Sequence, residues 1–366
     1  MLSHLKGDDV LSHLKGDDVL MSTTGRRIRP ARKVLIVATA IAVAITAAAC
    51  SGGTSSSSGA DSSGLKGARF TLMLQSTANA NKVVEVHAVN ALKAQGVDAS
   101  VKWNASSPNI AITQLTTGAI DAYSEAVLGG VGAVASGIKM KDFALAQPRQ
   151  DYVMLANSGI NSLADLKGKK IGVQDTTGVN YAQALVVVQK AGLTPKDVDI
   201  IAVGGQSTRL PALVAGRVDA TMLSHAAEQQ LGPKGFKTIF DYTKDASNLY
   251  DDNIFATEEW LGKNSALAVA FNKAILDSFE WFNDPANKDA VVTEALAIDP
   301  AADKDATATV FENLRAADAY PNGTILDPAL LDQQQQLYKE AGSLPATVPV
   351  AQWVDDSFAK QAKGQS

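Results

Sequence analysis

The 366-residue chain contains a single cysteine, Cys50. No disulfide can form within it, so a scaffold stapled by disulfides is excluded. Histidine is almost as scarce. His4 and His13 fall in the first twenty residues, which leaves His87 and His225, 138 positions apart and without metal-ligand spacing. Aromatic residues are only 6% of the chain. There is no G-x-x-x-x-G-K-(S/T), G-x-G-x-x-G, G-x-S-x-G or H-E-x-x-H, which removes the commonest phosphate-loop, dinucleotide, hydrolase and zinc-peptidase signatures. A basic surplus is also missing: 33 Lys and Arg stand against 38 Asp and Glu, a net charge of −5. That balance argues against nucleic acid and against an electrostatic hold on anionic lipid. The one long apolar run, Val34–Ala49, has sixteen residues, fewer than the roughly 20 that span a bilayer as a helix.

What surrounds that run gives it a meaning. Residues 2–10 and 11–19 are the same nonapeptide, LSHLKGDDV, twice, followed by a second methionine, Met21. This reads as an upstream mis-start or artefact and not as fold. From Met21 a basic segment (Arg26, Arg27, Arg29, Arg32, Lys33) leads into the apolar run, the layout of a secretory signal over 1–49. The run closes Ala47-Ala48-Ala49-Cys50-Ser51-Gly52, which resembles a bacterial lipobox with Ala at position −3. Lipidation at Cys50 is expected. Residues 50–65, rich in Ser and Gly, read as a flexible tether. Without residues 1–49, 26 basic and 34 acidic side chains remain, a net of −8, on 317 residues. That length holds two lobes of ordinary size, and stability must come from their cores.

The globular part repeats itself. Leu65-Lys66-Gly67 precedes a strand (70–74), the polar Gln75-Ser76-Thr77, and a helix ending at Gly96. Leu166-Lys167-Gly168 precedes a strand (171–173), the polar Gln174-Asp175-Thr176-Thr177, and a helix ending at Gly192. Each copy continues through a second strand (99–103; 199–203), a polar loop and a second helix, and closes on one signature. In the first copy it is Leu115 to Ala122, LTTGAIDA, and in the second Leu213 to Ala220, LVAGRVDA. Gly118 and Gly216 suit a helix C′ position, and the Asp-Ala pair opens a third strand. Two parallel β-α-β-α-β units follow from this spacing. The remainder reads as helices at 265–282, 286–296, 305–316, 330–342 and 351–362, expected to pack on the first unit.

DLKGKKIGV, the paired L-x-x-G-x-(I/V)-D-A signatures and the tail GSLPATVPVAQWVDDSFAKQA together resemble the solute-binding proteins of bacterial ABC importers, in the branch that handles sulfonates, nitrate and thiamine-pyrimidine precursors. The resemblance covers about 68–362. It implies an α/β fold of the type II periplasmic-binding-protein kind. Each lobe would be a mostly parallel sheet flanked by helices, and two crossing strands, at 151–155 and 253–257, would form the hinge. Lobe one would comprise 66–153 and 257–366, lobe two 154–256. The resemblance further implies reversible capture of a small-molecule solute by a monomer, delivery to a permease, extracytoplasmic location with a membrane anchor at Cys50, no catalysis, and no metal or cofactor.

Ligands in open parallel sheets sit beyond the carboxyl ends of the strands. That rule selects Gln75, Ser76, Trp103, Ser107, Ser124 and Glu125 from the first unit, and Asp175, Thr176, Thr177, Gln206 and His225 from the second. Thr176 and Thr177 also suit helix capping, Asp175 a helix dipole, and His225 a structural hydrogen bond. Arg209, the one basic residue near these loops, reads as a helix-surface residue. Glu125 and Asp175 favour a neutral or amine-bearing solute over a sulfate- or nitrate-like ion, although helix N-termini also hold anions. Two alternatives share the fold: a sensor signalling through a membrane partner, and an enzyme like the pyrimidine-precursor synthases, whose metal-binding cysteines are missing here.

Overall fold

The structure, a computed structural model, describes residues 65–365 apart from 105–107, 177, 247–248 and 341. Cys50, the signal and residues 51–64 of the tether, as well as Ser107 and Thr177, therefore lie outside the described residues, whereas Leu65, expected to end the tether, is buried in the core of lobe one. No helix among the described residues is long and apolar enough to cross a membrane.

Among the described residues, ten strands form two five-stranded mixed sheets. In chain order they are β1 (Arg69–Leu74), β2 (Asp98–Trp103), β3 (Ala122–Ala126), β4 (Met140–Leu145), β5 (Val153–Ala156), β6 (Lys170–Val173), β7 (Asp199–Ala202), β8 (Ala220–Leu223), β9 (Lys237–Asp241) and β10 (Asp252–Thr257). Sheet one has the order β2-β1-β3-β10-β4 and sheet two β7-β6-β8-β5-β9. The second order is the first, strand for strand. In each sheet four strands point one way, and β10 or β5 runs against both its neighbours. The two reversed strands are the ones the sequence marks as crossing. The described residues that lead from one sheet to the other, 146–152 and 249–251, immediately precede them.

The helices are α1 (Val83–Ala94), α2 (Pro108–Thr116), α3 (Val127–Ala135), α4 (Val179–Lys190), α5 (Gln206–Val214), α6 (His225–Leu231), α7 (Tyr242–Asp245), α8 (Glu258–Lys263), α9 (Ser265–Asn283), α10 (Lys288–Ile298), α11 (Lys304–Ala316), α12 (Pro328–Glu340) and α13 (Ser357–Ala362). Because helices cover both faces of each sheet, the strands are apolar on both. Phe70, Leu72 and Leu74 pack with Phe271, Phe279 and Phe282 of α9 on one face of sheet one, while Met73, Tyr123 and Phe255 pack on the other with α2, α3 and α12. Along β5, Met154 and Ala156 enter one core of sheet two, and Val153 and Leu155 enter the other. The C-terminal helices do not all stay on lobe one. α11 packs against α6 and α12 against α4, so they also touch lobe two.

The repeated signature has a shared physical cause. Gly118 (φ 72°) and Gly216 (φ 65°) occupy the left-handed region that ends the preceding helix. Three residues later the aspartate reaches across to the unit's first strand. Asp121 accepts from the Thr71 amide at 2.8 Å and Asp219 from the Lys170 amide at 2.8 Å. The backbone closes each ring, through Asp121 N to Thr71 O and Asp219 N to Lys170 O.

Packing of α3 on sheet one sets a sharp test. A Cβ at Gly130 would lie 2.0 Å from Phe255 Cζ, whereas one at Gly132 would meet nothing within 4 Å. Gly130→Ala is expected to cost about 1–3 kcal/mol by overpacking. Gly132→Ala is expected to stabilise by up to about 1 kcal/mol through helix propensity. Urea unfolding of the two variants reads the opposite signs.

Candidate functional site

The carboxyl ends of β1, β2 and β3 lie on one edge of sheet one, and β10, running the other way, starts on that same edge, with Asp252 beside Ala126. On this edge three strand ends converge. Tyr123 Oη lies 2.6 Å from Gln75 Oε1 and hydrogen-bonds to Glu125 Oε2. Asn104 Nδ2 donates to the same Gln75 oxygen at 3.2 Å, and the Ala126 amide donates to Glu125 Oε1 at 3.0 Å. Gly129 leaves room for the carboxylate, since a Cβ there would sit 2.7 Å from it. Burial pushes the Glu125 carboxyl up to about 7, with the nearby Asp252 charge adding to it and the Tyr123 and Ala126 hydrogen bonds opposing.

Lys82 lies behind this cluster. Its ammonium donates to Glu85 at 3.0 Å and to Asp252 at 2.5 Å. Burial opposes the Lys82 charge, but the two carboxylates outweigh it and hold the amine well above its ordinary value.

On sheet two the corresponding edge holds Asp175, which accepts from the Gly178 amide, where α4 begins. Gly178 is the N-cap of α4, without a side-chain cap bond from Thr176. Thr176 is exposed. Gln206 ties two loops together, donating to Ser224 Oγ at 3.1 Å and accepting from the Ser224 amide at 3.0 Å. Arg209 departs from the surface role expected for it. It is buried, and its guanidinium donates to Gly204 O at 2.8 Å and Met222 O at 3.3 Å. Carbonyls at the ends of the strands draw it inward where solvent would otherwise hold it. His225 is buried too, with Nδ1 bonded to Asp151 and Nε2 3.5 Å from Asp241, which also pairs with Lys244 at 2.8 Å. Burial opposes a charge on His225, yet Asp151 and Asp241 outweigh it and raise its pKa to about 10.

Not every candidate joins these clusters. Ser124 points to the face of β3 opposite Tyr123 and Glu125, fully buried, and its Oγ has no partner among the described residues. Trp103 packs half-buried at the rim of the α1–α9 core. Ser76 accepts from Asn79 at 3.1 Å in the turn after β1. Beside α6, a cavity of about 380 Å³ is lined by His225, Glu228, Gln229, Lys244, Asn313 and Ala316, at the seam with α11.

Tyr123 and the crossing-segment amides did not stand out among the candidates. Gln150 Oε1 accepts from Gln183 at 3.0 Å, and Asn180 donates to Gln183 at 2.7 Å, linking the first turn of α4 to the segment between the sheets. A signal for Tyr123 does exist in the repeat. β8 reads Ala-Thr-Met-Leu where its twin β3 reads Ala-Tyr-Ser-Glu. The polar substitution in one copy marks the strand end that has work beyond packing.

Comparison with known proteins places this geometry. Residues 87–287 match the family described as NMT1/THI5 like. A Bacillus subtilis (strain 168) protein named as a binding protein, YtlA, is 24% identical over 203 residues, 55% of this chain and 60% of that protein. The chain therefore matches less than two thirds of the length of this curated relative. Among solved structures, the periplasmic aliphatic sulphonate binding protein SsuA from Escherichia coli superimposes with a TM-score of 0.63 at 18% identity, covering 79% of this chain and 92% of that one. The desulfurization enzyme DSZB superimposes with a TM-score of 0.59 at 17% identity, covering 81% and 99%. At such identities the likeness establishes the fold, and that fold is shared by a binding protein and an enzyme.

The His225 environment carries a pH prediction. Its folded pKa, about 10, exceeds the unfolded value of about 6.5. The stabilisation is fully present below pH 6.5 and is lost as pH rises towards 10. Thermal unfolding should show a falling midpoint across that window, and His225→Gln should flatten the fall.

Proposed function

Since this chain belongs to the NMT1/THI5-like family, we propose that it is an extracytoplasmic solute-binding protein, which captures a small organic solute between its lobes and delivers it to the permease of an ABC importer. The observation that carries this reading is the pair of facing polar edges. Sheet one presents Gln75, Asn104, Tyr123 and Glu125, sheet two presents Asp175, Gln206 and Ser224, and among the described residues 146–152 and 249–251 lead from one sheet to the other. Hinge motion of those segments brings the edges together around a solute. Val179 and Ala182 of α4 pack against the lobe-one core containing Tyr123 and Phe255, which supports the arrangement as a closed one. The lipobox-like run at Cys50 supports a lipid tether to the outer face of the cell membrane.

The reading is of reversible binding without chemistry. The titratable groups at the edges are engaged with one another: His225 with two aspartates, Lys82 with two carboxylates, Arg209 with backbone carbonyls. No nucleophile–base pair emerges from them.

Two measurements check this. Addition of its solute should raise the thermal midpoint and shrink the radius of gyration in small-angle scattering, with the solute recovered unchanged; turnover that depends on Glu125 or His225 would replace the binding reading with an enzymatic one. Cys50→Ala should release the protein from the membrane fraction into the surrounding medium, and unaltered membrane retention would remove the lipid anchor.

A further inference from the structure

Resting on the solute-binding reading, we infer that the solute is a small organic cation, a protonated amine or amidine, received by Glu125, and that sulfonates, nitrate and similar oxyanions are excluded from this cleft.

The first support is the charge of the edges. Residues 75–79, 104, 123–126, 146–152, 174–176, 178, 203–207, 223–225, 246 and 249–252 carry five acids, Glu125, Asp151, Asp175, Asp251 and Asp252, against Arg149 and His225. Both cations are engaged. Arg149 donates to Ala317 O at 2.9 Å and pairs with Asp318 at 3.1 Å, and His225 lies between Asp151 and Asp241. Lys82 and Arg209, just behind the edges, are held as described above. The start of α4, the type of helix terminus that receives an oxyanion, already has a resident carboxylate, because Asp175 takes the Gly178 amide. Among the described residues of these segments, an incoming oxyanion would find no cationic side chain without a partner.

The second support is a count of protons. Tyr123 Oη has one hydrogen and lies in bonding range of both Gln75 Oε1 and Glu125 Oε2. Asn104 Nδ2 donates to the same Gln75 oxygen, which turns that oxygen, and not the amide nitrogen, towards Tyr123. Tyr123 can therefore give its hydrogen to Gln75 or to Glu125 but not to both at once. Burial in this cluster raises the affinity of the Glu125 carboxyl for a proton, to a pKa of about 7. The charged groups around it are Asp252 on β10, which favours the proton, and Lys82, which opposes it. A cationic solute takes the proton's place: Glu125 ionises, its proton leaves to solvent, and the N–H groups of the solute bond to the carboxylate. A neutral solute or an oxyanion has no such exchange to offer.

Proton release fixes the pH dependence. With a site acid near 7, affinity for a cation should be about tenfold higher at pH 8 than at pH 6. Isothermal titration of the purified protein with benzamidine, agmatine and phenethylamine, and in parallel with ethanesulfonate and nitrate, tests the inference. At least one basic probe should bind, about tenfold tighter at pH 8, with a heat that varies with buffer ionisation enthalpy as one released proton requires. Glu125→Gln should weaken it at least tenfold and remove the pH dependence. Buffer-dependent proton release from the unsubstituted protein gives an independent reading should that variant fold poorly. Silence of all three basic probes, or binding of one that is independent of pH, overturns the cation assignment. If ethanesulfonate or nitrate binds and compacts the protein, the assignment falls while the solute-binding reading stands; turnover of any probe removes the solute-binding reading itself.

Discussion

Each sheet contains one strand that runs against its neighbours, and that strand is the first to arrive from the other lobe. The register fixes the consequence. Val153, which opens β5, pairs with Leu223 at the carboxyl end of β8, and Asp252, which opens β10, pairs with Ala126 at the carboxyl end of β3. Both crossing segments must therefore run from one carboxyl edge to the other. The edges that gather polar loops are forced to face each other across two short pieces of chain. The same geometry concentrates charge at the crossing, where Asp151, Asp251 and Asp252 are brought out of bulk water. A buried carboxylate is tolerated only with partners. The structure supplies His225 to Asp151, Gln147 to Asp251 at 2.9 Å, and Lys82 to Asp252.

Those partnerships explain what the sequence could and could not reveal. The duplication was legible because its cause is local. A glycine at positive φ ends a helix, and an aspartate three residues on caps the first strand of the same unit, so both copies show the pattern in one line of sequence. The identical strand orders follow from it. The pairings at the crossing were not legible. Lys82 and Asp252 are 170 residues apart, and His225 and Asp151 are 74 apart. No periodicity announces such contacts, because only the closed topology brings the groups together. Arg209 illustrates the same limit. Its place in α5 suggests solvent, but strand-end carbonyls beneath the helix draw the guanidinium inward.

The candidate site was partly legible for a related reason. The carboxyl-edge rule selects residues at strand ends and helix starts, such as Glu125 in β3, Gln206 in α5 and His225 in α6, but it does not say which face of a strand each side chain takes. On β3, alternation sends Tyr123 and Glu125 to one side and Ser124 to the other. Gln75 and Glu125 end in one cluster, while Ser124 lies in the opposite core. Tyr123 becomes conspicuous only when β3 is set beside β8, where the twin position is Thr221, donating to Gly172 O at 2.7 Å within its own sheet.

A fold shared by a sulphonate-binding protein and a desulfurization enzyme leaves chemistry to the loops. Here the loops present a buried acid that accepts hydrogen bonds from a tyrosine and a backbone amide, and the nearby cations are already paired. On the proposed reading, charge interactions with Glu125 grow as water leaves the cleft, because the effective dielectric falls. Closure then amplifies the preference set by the side chains, because each step that excludes water strengthens the attraction between an ionised Glu125 and a positive solute. The crossing segments are part of that amplification. Gln150 and Gln183 bond across from the segment to α4, so the wall bearing Asp175 is tied to the piece of chain that must move for the cleft to close.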